Sequence, residues 1–161
     1  MIRFEGLSHR IEPDEQALSN IAFDIAAGER VVLLGANGSG KSTLLKIING
    51  LVFANVGHYF YGGREITAAT LKDRAFHRRF RSEVVLLFQH PDSMLFNPSV
   101  FDEIAFGLRQ IGAPDLDDRV RHWAGVCGIE RLLDRPPFKL SGGEKQKVCL
   151  AALLALEPKV L

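Results

Sequence analysis

The glycine-rich segment at residues 35–42, called the phosphate loop below, constrains the fold of this chain more than any other feature. It has the sequence GANGSGKS and matches the pattern G-x-x-x-x-G-K-[ST]. The apolar run 31–34 before it is predicted to be a continuous buried strand. Residues 44–48 after it predict a short helix that stops at Asn49 and Gly50. This order predicts an α/β fold whose loop encloses a phosphate group.

Each residue type in the phosphate loop suits a bound nucleotide. Glycines let the backbone curl until successive N–H groups, here those of residues 38–42, converge on phosphate oxygens at the positive end of the helix. Lys41 supplies a mobile cation for the β and γ phosphates, and the Ser42 hydroxyl suits Mg²⁺. The alternative is a glycine-rich surface turn with an exposed lysine. We predict ATP and Mg²⁺ as cofactors, bound by Asn37, Gly38, Ser39, Gly40, Lys41, Ser42 and Thr43.

Bulk composition sets limits without indicating a function. The 161 residues are 47% hydrophobic and 24% charged, which fits one soluble domain, and the net charge of +1 gives no overall attraction to nucleic acid or to an anionic membrane. The richest apolar stretch, 148–156, is about half of the ~20 residues needed to cross a bilayer, so we expect any membrane association to be peripheral. Cys127 and Cys149 lack metal-ligand spacing and are expected to be reduced thiols of a cytoplasmic protein.

Hydrophobic periodicity predicts further elements. These are a strand at 21–25 with a turn at 27–29, a hairpin at 56–67, a charged helix at 71–81, a buried strand at 84–88, and amphipathic helices at 100–111 and 117–127. Residues 159–161 resemble the first residues of another strand. In the charged helix Phe76 and Phe80 are four residues apart, so its basic residues are interpreted as a solvated outer face and no nucleic-acid partner is expected.

A second glycine-rich segment at residues 140–144, called the signature segment below, precedes the last predicted helix. Ser141 with Glu144 three residues later forms a capping box, a motif that is common on its own. Gly142 and Gly143 permit close backbone approach, which predicts a second helix start able to bind an anion. Together with the phosphate loop, the segment resembles the LSGGQ signature of the ABC transporter ATPases, with Glu144 in place of the usual Gln. The resemblance implies that Ser141, Gly142 and Gly143 contact ATP held by the opposite subunit.

Gln89 is the third marker of the resemblance, since it follows the predicted 84–88 strand where the family has its Q-loop glutamine. The resemblance implies Lys41 and Gln89 as catalytic residues and Ser42 and Gln89 as Mg²⁺ ligands. The stretch 88–107 is similar to the FQNPD…LF…V…DEIAFG segment of cobalt/nickel and energy-coupling-factor importers. This similarity implies that a membrane subunit docks on residues 92–106, called the docking segment below. Ordinary core packing of its apolar residues is the alternative.

The resemblance covers essentially the whole chain and implies an ABC-type P-loop NTPase fold. In that fold, residues 1–90 form a RecA-like core with an antiparallel β subdomain, 91–140 form a helical insertion, and 141–161 return to the core. Family members continue the strand at 159–161 into Walker B, with an Mg²⁺-binding Asp and a catalytic Glu. We therefore expect a chain truncated at its C-terminus that is close to inactive as an ATPase alone.

The implied function is the ATP-binding subunit of an importer of cobalt, nickel or a vitamin. It would pair with a second ATP-binding subunit, as a homo- or heterodimer, and lie at the cytoplasmic face of the plasma membrane. One alternative is a soluble ABC-family ATPase acting in translation or nucleic-acid metabolism, and another is a nucleotide-binding regulator without turnover. No aromatic residue stands at 7–11, where the family stacks a ring on adenine, so recognition of the base is less secure than recognition of the phosphates.

Overall fold

The computed structural model describes residues 1–12 and 15–161, which form two compact units, Met1–His77 and Arg78–Leu161. The first unit contains an antiparallel sheet and the phosphate loop, and the second is mainly helical. Within the described residues, no helix has the length and apolar character needed to cross a bilayer. The predicted division at residues 90 and 140 stays a prediction.

Four antiparallel strands form the sheet of the first unit in the order β2-β1-β3-β4. They are β1 (Ile2–Glu12), β2 (Glu15–Ile25), β3 (Val56–Tyr61) and β4 (Arg64–Glu65). The buried ring of Phe4 lies 4.8 Å from Phe23 and 5.1 Å from Tyr59, each measured between ring centroids, so aromatic pairs join the three main strands. The predicted hairpin at 56–67 and the strand at 21–25 are confirmed, whereas β1 was not predicted.

The helix α1 (Lys41–Ile48) follows the phosphate loop. Leu44 and Ile47 are buried, and the Tyr59 hydroxyl on β3 donates a hydrogen bond of 2.8 Å to the Ile48 carbonyl, which ties the end of the helix to the sheet. Asn49 ends the helix and Gly50 follows with φ of 62°, so the predicted stop is confirmed.

The second unit is organised around three helices, α3 (Val100–Ile111), α4 (Leu116–Val126) and α5 (Gly142–Leu154). The predicted bounds of α3 are confirmed, and those of α4 differ by one residue at each end. Its core consists mainly of Val100, Ile104, Leu108, Val120, Ala124, Ile129, Leu132, Val148, Ala151 and Ala155. The charged helix α2 (Arg74–Glu83) begins three residues later than predicted, after a short 3₁₀ turn, and its Phe80 is buried.

Two predicted buried strands were wrong. Residues 31–34 belong to no strand, and Leu34 is 88% exposed. In the run 84–88, Val84 and Val85 are buried, but Leu87 and Phe88 are exposed. A strand of a parallel sheet is buried where both faces of the sheet are covered, and within the described residues this run pairs only through the parallel bridge between Val84 and Val160. That bridge does place residue 160 in extended pairing, as the sequence predicted.

Candidate functional site

The phosphate loop turns into α1 at Gly40, which has the left-handed φ of 84°. A Cβ atom at Gly40 would lie 2.2 Å from the Ala17 carbonyl oxygen and 2.8 Å from Leu18 Cδ2 on β2. Both the backbone angle and the close approach therefore require glycine at this position. The helix start is fixed against the sheet by its backbone.

The first N–H groups of α1 face out of the helix without a side-chain cap, because Gly40 has no side chain. The Leu44 N–H is the first to bond back along the chain, donating 2.9 Å to the Gly40 carbonyl. The N–H groups of Lys41, Ser42 and Thr43 precede it at the positive end of the helix dipole. This arrangement fits an anion such as a phosphate group.

The ammonium of Lys41 folds back over its own loop. It donates to the carbonyl oxygens of Gly35 at 2.8 Å and Ala36 at 2.7 Å, and it lies 3.3 Å from the Ser39 hydroxyl. The cation is thus held at the loop by neutral acceptors. Among the other predicted ligands, Asn37, Gly38, Ser39 and Ser42 are exposed and Thr43 is half-buried.

The signature segment forms the other predicted helix start, and it is capped by its own side chains. The Ser141 hydroxyl accepts from the Glu144 N–H at 3.4 Å and donates to the Glu144 carboxylate at 2.8 Å. That carboxylate also accepts from the Ser141 N–H at 2.9 Å, which completes the predicted capping box. These hydrogen bonds lower the pKa of Glu144. Ser141, Gly142 and Gly143 are exposed.

Comparison with known families identifies the domain. The family model described as "ABC transporter" matches residues 18–161, nearly the whole chain. The chain belongs to the ABC transporter family of ATP-binding domains. The fold predicted from the phosphate loop and signature segment is thereby confirmed.

Several curated proteins are similar in sequence to this ABC domain. It is 42% identical over 163 residues to a putative ABC transporter ATP-binding protein of Clostridium acetobutylicum, covering 100% of this chain and 67% of the relative. It is 45% identical over 147 residues to the nickel import ATP-binding protein NikO of Rhodobacter capsulatus, covering 90% and 58%. The chain spans between 58% and 67% of the length of the curated relatives it matches.

Two solved structures share the fold of this ABC domain. The first is cbiO1 of Clostridium perfringens, described as part of the ABC transporter complex cbiONQ, with a TM-score of 0.82 and 32% identity over 98% of this chain and 62% of that one. The second is the ATP-binding cassette MJ0796, solved as a dimer in a post-hydrolysis state with ADP and Pi, with a TM-score of 0.86 and 26% identity over 98% and 71%.

The second unit of the ABC domain carries Gln89, exposed in a bend after the 84–88 run. A 3₁₀ turn at Pro91–Ser93 follows, in which the Ser93 N–H and hydroxyl both donate to the His90 carbonyl, at 3.2 and 2.7 Å. Lys145, directly after the signature segment, reaches Asp92 in this turn with an N–O distance of 2.5 Å. The structure therefore joins the region after Gln89 to α5, called the signature helix below, a contact that sequence reasoning missed.

The docking segment of the ABC domain holds an exposed aromatic pair. Phe96 is 67% exposed and packs edge-on against Phe106, with 4.9 Å between ring centroids. The buried Glu103 carboxylate accepts from the N–H groups of Phe96 and Asn97 and, at 2.9 Å, from the Asn97 side-chain amide. Val100, Ile104 and Ala105 are core residues, which confirms core packing for part of the segment, while docking of a membrane subunit stays a prediction.

Both predicted metal ligands, Ser42 and Gln89, offer neutral oxygen atoms, which are acceptable to Mg²⁺. No group of three His, Cys, Asp or Glu side chains in residues 1–12 and 15–161 is placed to hold a metal ion. Ser42 belongs to the first compact unit and Gln89 to the second. The roles assigned to these two residues stay predictions.

Proposed function

We propose that this ABC domain binds Mg-ATP in the phosphate loop and offers its signature segment to the nucleotide of a paired subunit. The observation that carries the proposal is the start of α1, where glycine geometry leaves three N–H groups without a side-chain cap and the Lys41 ammonium is held beside them by loop carbonyls. MJ0796, solved as a dimer with ADP and Pi, supports both the nucleotide and the pairing. Ser42 and Gln89 would be the protein ligands of a bound Mg²⁺, which would supply positive charge to offset that of the phosphates.

The bound state requires the Lys41 ammonium to exchange its carbonyl partners for phosphate oxygens. A charged acceptor binds an ammonium more strongly than a neutral carbonyl does, so the exchange is favourable. The loop carbonyls therefore hold the cation beside the site until nucleotide arrives.

The substitution Lys41→Ala in the full-length protein tests nucleotide binding. We expect the Kd for Mg-ATP, measured by calorimetry, to rise about 100-fold or more, because the principal cation of the site is lost. Lys46→Ala is the matched control, since Lys46 lies in the last turn of the same helix and is exposed. Retained affinity in a folded Lys41→Ala protein, or an equal loss in the control, would remove the basis of the proposal.

We further propose that the full protein powers an importer of cobalt, nickel or a vitamin, as a peripheral protein at the cytoplasmic face of the plasma membrane. The names of NikO and cbiO1, and the description of cbiO1 as part of a transporter complex, support this class. The exposed aromatic pair of Phe96 and Phe106 supports the docking segment as the surface for a membrane subunit, because large exposed apolar groups mark interaction sites.

Co-purification from detergent-solubilised membranes tests this importer assignment. We expect the tagged full-length protein to bring down a polytopic membrane protein, and Phe96→Asp to reduce its recovery at least about tenfold. Val126→Asp is the matched control, because Val126 is exposed at the end of α4. Recovery of ribosomes or nucleic acid in place of a membrane protein would favour the soluble ATPase alternative.

A further inference from the structure

The signature helix and the docking segment share a charged contact in the second unit. The Lys145 side chain is only 18% exposed, and its ammonium meets the Asp92 carboxylate at 2.5 Å. Lys145 lies in the first turn of α5, where its N–H donates 2.9 Å to the Ser141 carbonyl. A cation near the positive end of a helix is unfavourable unless an anion offsets it. Asp92 supplies that anion.

A second contact fixes the same turn to α5. The Cys149 thiol, one helical turn beyond Lys145, donates to the Pro91 carbonyl at 3.7 Å. Burial raises the pKa of Cys149 to about 11, so the thiol keeps the proton that this contact needs. Lys145 and Cys149 are four residues apart and lie on one face of the helix. The Pro91–Ser93 turn thus rests on α5 at two points.

The turn is equally well fixed to the rest of the docking segment. Its Met94 N–H donates 2.9 Å to the Pro91 carbonyl, and Leu95 packs against the core of the second unit. The next two residues, Phe96 and Asn97, donate their backbone N–H groups to the Glu103 carboxylate. The ion pair, the hydrogen bonds of the turn and the short backbone segment between them therefore connect Lys145 on the signature helix to Phe96.

We infer that Lys145 is a positioning residue that couples the signature segment to the docking segment through its ion pair with Asp92. The inference rests on the proposed function, because it requires nucleotide at the signature segment of a dimer. When nucleotide contacts Ser141, the first turn of α5 is held more rigidly, and the Lys145–Asp92 ion pair restrains the Pro91–Ser93 turn with it. The surface around Phe96 then responds to nucleotide without touching it.

Hydrogen exchange of the full-length dimer tests the inference, with and without saturating AMP-PNP and Mg²⁺. The informative amides are those of residues 93–97 in the docking segment and 141–147 in the signature helix. In the wild type we expect nucleotide to slow exchange in both regions. In Lys145→Met and in Asp92→Asn we expect nucleotide to slow exchange at 141–147 as it does in the wild type. At 93–97 we expect the factor by which nucleotide slows exchange to be about tenfold smaller.

Two further variants separate coupling from general stability. Lys147→Met removes an exposed cation from the same helix and should leave both responses unchanged. The charge exchange Asp92→Lys with Lys145→Asp should restore the response at 93–97. Asp92 is exposed, so Asp92→Asn provides a folded variant even if Lys145→Met does not.

The outcomes are distinct. If 93–97 still respond fully to nucleotide in Lys145→Met or Asp92→Asn, the coupling role is overturned, even where exchange without nucleotide has become faster. If the charge exchange fails to restore the response, the ion pair is not the coupling contact. If the wild type neither binds AMP-PNP nor changes exchange in either region, the proposed function is overturned, and this inference with it.

Discussion

The two glycine-rich helix starts of this chain, at Gly40 and at Ser141, differ in how their first backbone N–H groups are satisfied. At α1 a left-handed glycine provides no cap, and the nearby ammonium binds loop carbonyls. At α5 Ser141 and Glu144 cap one another through three hydrogen bonds. The first site is therefore incomplete until an anion binds, whereas the second is stable alone and must accommodate an anion brought by another subunit.

The difference predicts that changes at Ser141 affect turnover far more than they affect nucleotide binding. We expect Ser141→Arg in the full-length protein to lower kcat about 100-fold or more, because the bulky cation blocks close approach to a phosphate in trans. Binding of Mg-ATP by the isolated subunit should change less than about threefold. Ser19→Arg, at an exposed position of β2, is the control. Steady-state hydrolysis assays measure kcat, and calorimetry measures the affinity for Mg-ATP. Normal hydrolysis in Ser141→Arg would refute a shared site.

Gly40→Ala tests whether the backbone alone holds the first helix start. The added Cβ would lie 2.2 Å from the Ala17 carbonyl oxygen, and the φ of 84° is strained for alanine, so we expect a loss of about 3 kcal/mol in unfolding free energy. Gly38→Ala has a similar φ of 83° with no atom within 4 Å, so its loss should be about 1 kcal/mol. Urea denaturation measures both, and equal losses would contradict the role of the Ala17 contact.

The serines at the two helix starts should differ in what they contribute to stability. Ser141→Ala removes an N-cap and should lower the unfolding free energy by about 1 kcal/mol. Ser42→Ala removes an exposed hydroxyl inside α1 and should change it by less than about 0.5 kcal/mol. The affinity of the isolated subunit for Mg-ATP should show the opposite difference. We expect Ser42→Ala to weaken it and Ser141→Ala to leave it unchanged. If Ser42→Ala lowered the unfolding free energy as much as Ser141→Ala does, Ser42 would also have a capping role.

The smallest expected effect is the pH dependence of the capping box. The folded-state pKa of Glu144 is lowered, so its contribution to stability is fully present above the unfolded pKa of about 4.3 and is lost as pH falls through the folded pKa. We expect the stability difference between wild type and Glu144→Gln, measured by urea denaturation, to be constant near pH 7 and to shrink below about pH 4. A difference that grows on acidification would contradict the sign.

Sequence patterns were most informative where the determinants are local. The Gly50 stop of α1, the bounds of α3 and the capping box at Ser141 depend on residues within one or two helical turns, and all were predicted correctly. The strand predicted at 31–34 and most of that at 84–88 were wrong, because an apolar run does not specify its partners. Pairing across a sheet depends on distant residues, as the bridge from Val84 to Val160 illustrates.

The sequence by itself determined the family of this protein, the phosphate loop and the signature segment, because glycine spacing and capping residues act over a few neighbours. Only the tertiary structure decided that Gly40 adopts a left-handed angle and is fixed against Ala17, and that Lys145 meets Asp92. Each of these contacts joins residues more than 20 positions apart or depends on a backbone angle. Such contacts arise from packing and are not encoded in local periodicity.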